Sequence, residues 1–340
     1  MDKLISVHFN AEHTHFLCGT AAGFAVYSCS PFAELMRREI YGGIRIVEML
    51  HRSNIFALVG TGLSSQYKTT DVNIWDDLQQ KCIAQLSFTS DVRAVRLSRE
   101  RIVVVLQRKV YMYNFDDLSL LEQIDTTDNM EGVYELSVKK PHVLACPALE
   151  VGAIIVSQYD LHDLKSIKAH QNGIQRLALS RDGSQVATTS TVGTLIRVFN
   201  THTGQKTHEF RRGKDSATIW SLSFDPISRY LSVNSDKATV HIFSLNESTD
   251  NTRSSLHAVS NLLPSYFSSE WSPVNFKVKE NVVCYCAFLD TNVEGSINVM
   301  VLFKDFTFNI YKSIPQRGIM GKLEHHNMYL SKNNLNQTPL

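Results

Sequence analysis

The residues best suited to chemistry in this sequence are two neighbouring arginines in Phe210-Arg211-Arg212-Gly213. A guanidinium presents a planar fork of N–H donors that matches a phosphate in bidentate fashion. Side chains alternate between the two faces of an extended strand, so Arg211 and Arg212 cannot serve one pocket together. The pair therefore predicts two adjacent anion pockets, with Arg211 turned to the rim of its own structural unit and Arg212 to the next. Each pocket has polar company. Ser190, Thr194 and Arg197 surround the turn into Leu195-Ile-Arg-Val-Phe199, and Ser235, Thr239 and His241 surround the turn into Val240-His-Ile-Phe243, with Lys214 close behind Arg212. Hydroxyl, imidazole and guanidinium donors together suit a polyphosphorylated polyol, although Ser, Thr and His also build the internal hydrogen-bond networks of β-repeats.

The elements that must hold these residues are strands. Helical periodicity is scarce, whereas short apolar or alternating runs bounded by Gly, Asn, Asp, Ser and Pro recur, as in Phe24-Ala-Val-Tyr27, Ile55-Phe-Ala-Leu-Val59 and Val103-Val-Val-Leu106. The runs repeat. Phe199 and Phe243 lie 44 residues apart, and the polar turns Arg181-Asp-Gly-Ser184 and Asp225-Pro-Ile-Ser228 fall at equivalent places, within the period of about 40 to 45 residues that marks propeller blades. Blades are expected at about 4–41, 44–87, 91–124, 131–168, 173–212, 217–279 and 281–330, giving an all-β, seven-bladed β-propeller of four-stranded, WD-repeat-like blades. If Lys322 to Leu330 is a strand, the first and last blades each own four. Ring closure then rests on side chains and edge pairing rather than on a swapped strand.

Composition narrows the functional classes. The 340 residues are 43% hydrophobic and 20% charged, which describes a folded chain, and 34 Lys plus Arg against 33 Asp plus Glu give no global field that would attract nucleic acid. An anion site must be local. The apolar runs fall well short of the ~20 residues that span a bilayer, and Met1-Asp2-Lys3 opens no signal-peptide pattern, so a soluble intracellular chain is expected. Six cysteines show neither C-x-x-C nor zinc-ligand spacing; Cys284 and Cys286 share one face of a strand and read as small buried hydrophobes. No metal or cofactor is expected. Gly19-Thr-Ala-Ala-Gly23 and Gly318-Ile-Met-Gly-Lys322 lack the Gly-Lys-Ser/Thr of a phosphate loop, Asp76-Asp77 reads as a turn cap, and no catalytic residue stands out.

Phe210-Arg-Arg-Gly213, within a sequence running from Ala169-His170 through Gly193-Thr-Leu-Ile-Arg-Val-Phe199 to Thr239-Val-His-Ile-Phe243, resembles the PROPPINs, β-propellers that bind phosphoinositides. Gly42-Gly-Ile-Arg-Ile-Val47, Val72-Asn-Ile-Trp-Asp-Asp77 and Ser268-Ser-Glu-Trp-Ser272 extend the likeness over roughly residues 4–330. The resemblance implies binding of phosphatidylinositol 3-phosphate and phosphatidylinositol 3,5-bisphosphate at two rim sites. The first would comprise Ser190, Thr194, Arg197 and Arg211, joined by His170 and Asn172; the second would comprise Arg212, Lys214, Ser235, Thr239 and His241. It departs from the family pattern at Ala238, where a Gly is common. It further implies a monomeric, non-enzymatic adaptor of the cytoplasm, peripheral on autophagic, endosomal and vacuolar membranes, with an autophagy or traffic protein bound to its surface. The alternative is a propeller that serves only as a protein scaffold.

One blade is interrupted. Residues 246–275 begin polar and turn apolar at Leu262, Leu263, Tyr266 and Phe267, where the family carries a loop that dips into the bilayer. Aromatic and aliphatic side chains at a loop tip suit the headgroup boundary, and they could equally pack down on the propeller. Residues 331–340 read as a disordered tail.

Overall fold

Alternating β-branched and aromatic residues bury one face of each short strand, and Gly, Asp and Ser reverse the chain between strands. The result, in a computed structural model that describes residues 3–62, 66–246, 270–290, 296–314 and 319–329, is seven antiparallel sheets, each built on four strands and laid down one after another. This is the architecture of a seven-bladed β-propeller. The apolar tip Leu262, Leu263, Tyr266 and Phe267 and the tail 331–340 lie outside the described residues.

The chain divides into two compact units. The first comprises Met1–Gly132, Leu302–Asn309 and His326–Leu340, and includes three complete blades. Their strands are Leu4–Phe9, His15–Thr20, Gly23–Cys29 and Phe32–Glu39; Ile44–Met49, Ile55–Gly60, Asp71–Asp76 and Lys81–Ser87; and Ala94–Leu97, Arg101–Val105, Lys109–Asn114 and Leu120–Asp125. The second comprises Val133–Val301 and Ile310–His325. Its complete blades are Glu135–Leu136, Leu144–Pro147, Ala153–Gln158 and Asp163–Lys168; Ile174–Leu179, Gln185–Ser190, Leu195–Asn200 and Lys206–Arg211; and Ile219–Phe224, Tyr230–Ser235, Thr239–Ser244 and Val274–Lys277.

The last sheet runs Cys284–Leu289, Ile297–Phe303, Thr307–Ile314 and Ile319–Met328, so the first and last blades are each made of their own four consecutive strands. Side chains join them. Tyr329 packs edge-on against Phe16 and Tyr27 at ring separations of 5.3 and 6.1 Å, its hydroxyl donates to the Phe303 carbonyl, and Phe308 lies 4.6 Å from Phe32. Burial of such rings contributes about 1.5 to 3 kcal/mol each, enough to close the seam without an exchanged strand.

Blades 5 and 6 share one core, in which Ile196, Val198, Phe210, Ile219, Val233 and Phe243 pack together and the rings of Phe210 and Phe243 stack at 4.7 Å. Their polar turns have the expected chemistry. Asp182 Oδ1 accepts from Ser184 N at 3.1 Å below Gly183 at φ +73°, and Asp225 Oδ1 accepts from Tyr230 N at 2.7 Å. The interrupted blade returns in an unforeseen way. Glu270–Trp271 pairs in parallel with Lys206–Arg211, placing Trp271 opposite Arg211 in register, so the sheet of blade 5 carries a fifth strand. The chain then crosses to blade 6, whose fourth strand begins at Val274 and takes up the last two residues of the span expected as insertion.

Candidate anion-binding site

The strand Lys206–Arg211 is the outermost of blade 5's own four, and its end sets both arginines. Arg211 pairs with Leu195 in the ladder and is 8% exposed. Arg212, 6% exposed, continues the pairing by donating its N–H to the Thr194 carbonyl at 3.0 Å. Its Nε donates to the Gly193 carbonyl at 2.8 Å and its Nη2 to the Asp215 carbonyl, so the guanidinium spans the turn of blade 5 and the connection to blade 6. Arg212 forms no ion pair among the described residues. Burial lowers its pKa, while the more distant charges of Asp236 and Asp215 oppose the shift.

The first pocket centres on Arg197. Its Nη1 donates to the Ala169 carbonyl at 2.6 Å, beside His170, and its Nε pairs with Glu209 Oε2 at 2.8 Å. Lys206 reaches the same carboxylate oxygen at 2.9 Å. Burial alone would raise the Glu209 carboxyl, but hydrogen bonds from Lys206 and Arg197 outweigh it and hold the group below the ordinary glutamate range. His170 is buried, with Nε2 2.9 Å from the Thr188 hydroxyl. Burial, then the charge of Arg197, brings its pKa down to about 4.

The second pocket centres on His241. Its Nδ1 lies 2.9 Å from the Ser272 hydroxyl, on the chain returning from the insertion, and burial followed by the charge of Arg212 lowers its pKa to about 4. At neutral pH both imidazoles are therefore uncharged, each able to donate one hydrogen bond and accept one. Ser235 is fully buried with its Oγ accepting from Lys237 N at 3.3 Å, and Thr239 donates to the Lys237 carbonyl at 3.3 Å.

Comparison with known proteins decides the family. The PROPPIN family profile matches residues 3–301. The chain belongs to the PROPPIN family. It is 34% identical over 330 residues to autophagy-related protein 18e of Arabidopsis thaliana, covering 95% of this chain and 87% of that protein. It is 37% identical over 314 residues to SVP1-like protein 2 of Pichia angusta, covering 87% of each. Among solved structures, Kluyveromyces lactis Hsv2 with its complete loop 6CD superposes with a TM-score of 0.80 at 27% identity, over 96% of this chain and 99% of that one.

In this PROPPIN the structure brings Arg197, His170 and Thr188 together on one side of the arginine pair, and Arg212 and His241 on the other. Ser190 and Ser235 end matched strands, opposite Ile174 and Ile219 respectively. Asn172 and Lys214 are exposed, on the connections that follow blades 4 and 5. The two threonines are not equivalent. Thr239 is a ladder residue opposite Lys277, the place that Leu195 fills opposite Arg211, whereas Thr194 precedes its strand because the blade-5 turn is one residue longer.

Three contributors were invisible to a search for phosphate donors. Glu209 is an acceptor, yet its place two residues before Arg211 on an alternating strand puts it on the same face, and that spacing was a usable signal. Thr188 has the same relation to Ser190. Ser272 had no local signal, since it reaches His241 only because the insertion folds back beside blade 5.

Proposed function

We propose that this PROPPIN is a peripheral membrane adaptor that reads phosphatidylinositol 3-phosphate and phosphatidylinositol 3,5-bisphosphate through two headgroup sites flanking Arg211 and Arg212. One observation carries the reading: Arg212 is 6% exposed, is held by backbone carbonyls, and forms no ion pair among the described residues. A buried guanidinium without a direct ion pair carries a desolvation cost, and an incoming phosphate would relieve that cost with charge-assisted hydrogen bonds. Arg211, Arg197, Ser190, Thr194, His170 and Asn172 would supply the first site; Arg212, Lys214, Ser235, Thr239 and His241 the second.

Neither site alone needs to be tight. Two headgroups and an apolar loop tip at Leu262, Leu263, Tyr266 and Phe267 engaging one bilayer would add through effective concentration. The relatives' autophagy-related names support a role in autophagy; the adaptor would act at autophagic, endosomal and vacuolar membranes, where the propeller surface would recruit a protein partner. The adaptor uses no catalytic residue or cofactor.

Liposome co-flotation tests this. With vesicles carrying phosphatidylinositol 3-phosphate, the folded wild type should float, Arg211→Thr and Arg212→Thr should each lose part of the binding, and the double variant should stay in solution. If all four proteins float equally, or none does, the arginines serve the fold or a protein partner instead.

A further inference from the structure

The turn between the second and third strands of blade 4 carries two exposed apolar side chains. Leu149 is 68% exposed and Val151 55% exposed, and Val192, in the matching turn of blade 5, is 36% exposed. Single exposed apolar residues are ordinary; their position is what matters here. The corresponding turns elsewhere present Ala21-Ala22, Gln107-Arg108, Asp236-Lys237 and Lys304-Asp305. Among the turns compared, bulky exposed aliphatic residues thus fall in the two blades that flank the connection carrying His170 and Asn172.

Both turns are hydrogen-bonded to the connection that supplies His170 and Asn172. Gly152 accepts at its carbonyl from Ala169 N at 3.0 Å and from His170 N at 2.8 Å, and Gly173 accepts from Thr191 N at 2.9 Å. The fit at Gly152 is close: a Cβ there would lie 2.1 Å from the His170 carbonyl oxygen and 2.8 Å from that of Asn172, at a φ of +78°. The side chains of Leu149 and Val151 are therefore presented at a fixed distance from the first site rather than on a free loop. The one acidic residue of the turn does not oppose an anionic surface, because Lys168 bonds both the Glu150 carboxylate and, at 2.7 Å, the Val151 carbonyl. The patch is apolar, locally neutral and continuous with a cationic pocket, which is the make-up of a surface seated at the headgroup and acyl boundary.

We infer that Leu149 and Val151, flanked by Val192, form a second lipid-contacting lip that enters the bilayer beside the first headgroup site. The inference rests on the phosphoinositide reading above and specifies how the protein sits on the membrane: blade 4 meets lipid beside the connection that carries His170 and Asn172. The lip contributes affinity only on a bilayer and none toward a headgroup in solution.

The test uses the full chain with Leu149→Trp, read as the difference from the parent protein with its native Trp75, Trp220 and Trp271. On phosphatidylcholine vesicles containing phosphatidylinositol 3-phosphate, the introduced indole should shift its emission to the blue and be quenched by lipids brominated on their acyl chains. Neither change should occur without the phosphoinositide. In a second arm, Leu149→Asp with Val151→Asp should weaken vesicle binding roughly tenfold while leaving binding of soluble inositol 1,3-bisphosphate unchanged. An indole that remains in water on vesicles to which the protein is bound overturns the lip, leaves the headgroup reading intact and assigns the turns to a protein contact. A wild type that binds neither vesicles nor the soluble headgroup overturns both.

Discussion

Blades 5 and 6 place a basic side chain at the same rung of matching ladders and then treat it differently. Arg197 stands opposite Glu209 and is neutralised by it, whereas His241 stands opposite Asn275 and has the Ser272 hydroxyl as its side-chain hydrogen-bond partner among the described residues. The first pocket is thus pre-organised at the expense of field: a fixed guanidinium, already paired, beside an uncharged His170. The second keeps Arg212 without an ion pair among the described residues, held by backbone carbonyls beside an uncharged His241, with Lys214 following it and the charges of Asp236 and Asp215 acting on it. A headgroup phosphate should meet the stronger positive potential in the second site and the more rigid donors in the first.

The turns that frame the two pockets offer the largest way to break this comparison. Gly193 has φ +68°, and a Cβ there would lie 1.9 Å from the Ala217 carbonyl oxygen. Gly193→Ala should therefore cost roughly 3 kcal/mol or more in chemical denaturation and collapse both sites, because Arg212 donates to the Gly193 carbonyl. The matching turn of blade 6 already contains the substitution. Ala238 sits at φ 52°, so Ala238→Gly should instead stabilise the protein by about 0.5 to 1 kcal/mol. Loss of stability in the glycine variant would mean that blade 6 gains more from a stiff turn than it spends on the left-handed backbone.

Arg212→Ala comes next. It removes the buried charge of the second site and two hydrogen bonds to backbone carbonyls, and should weaken soluble headgroup binding there by about ten- to a hundredfold, with a measurable drop in melting temperature. Calorimetry with inositol 1,3-bisphosphate, in which one of two binding events disappears, separates this outcome from general unfolding.

These differences also mark how far the sequence could be read. The 44-residue spacing of Phe199 and Phe243, the two polar turns and the alternation around Arg211-Arg212 are local patterns, and the strands follow them. The placement of Ser190 and Ser235 was legible for the same reason. The equivalence of Thr194 and Thr239 was not, because a one-residue change in turn length shifts the ladder while the hydroxyls still align by eye. Glu209 was hidden by its sign, since a carboxylate does not belong in a list of phosphate donors even when it is what holds Arg197 in place. The approach of residues 270–272 to blade 5 and His241 is a long-range contact that no period announces.

Glu209→Gln sharpens the contrast from the other side. It frees Arg197 and Lys206 from a shared carboxylate, so headgroup affinity at the first site should rise several-fold, measured in an Arg212→Ala background that silences the second. The fold should lose no more than about 1 kcal/mol, since the pair is partly exposed. An unchanged affinity would mean that Arg197 is a structural strut and that the first site depends on Arg211.

The smallest effect on binding is its dependence on pH, which runs opposite to the dependence of the free protein's stability. His170 and His241 have pKa values of about 4 in the fold, against about 6.5 in an unfolded chain, so between these values the unfolded state holds more protons. Stability of the free protein should thus fall as pH drops from about 6.5, by at most about 1.4 kcal/mol per unit for each histidine, and level off near 4. A phosphate against His241 favours the imidazolium and raises its pKa, so headgroup affinity should strengthen as pH falls through the same window, onset being set by the bound form rather than by the histidine of the free protein. Phosphate itself takes up a proton near pH 6 and opposes the trend, so the quantity to read is the affinity of wild type relative to His241→Ala at each pH. That ratio should climb by about threefold from pH 7 to pH 5. A flat ratio would remove His241 from the second site and leave it as a buried partner of Ser272.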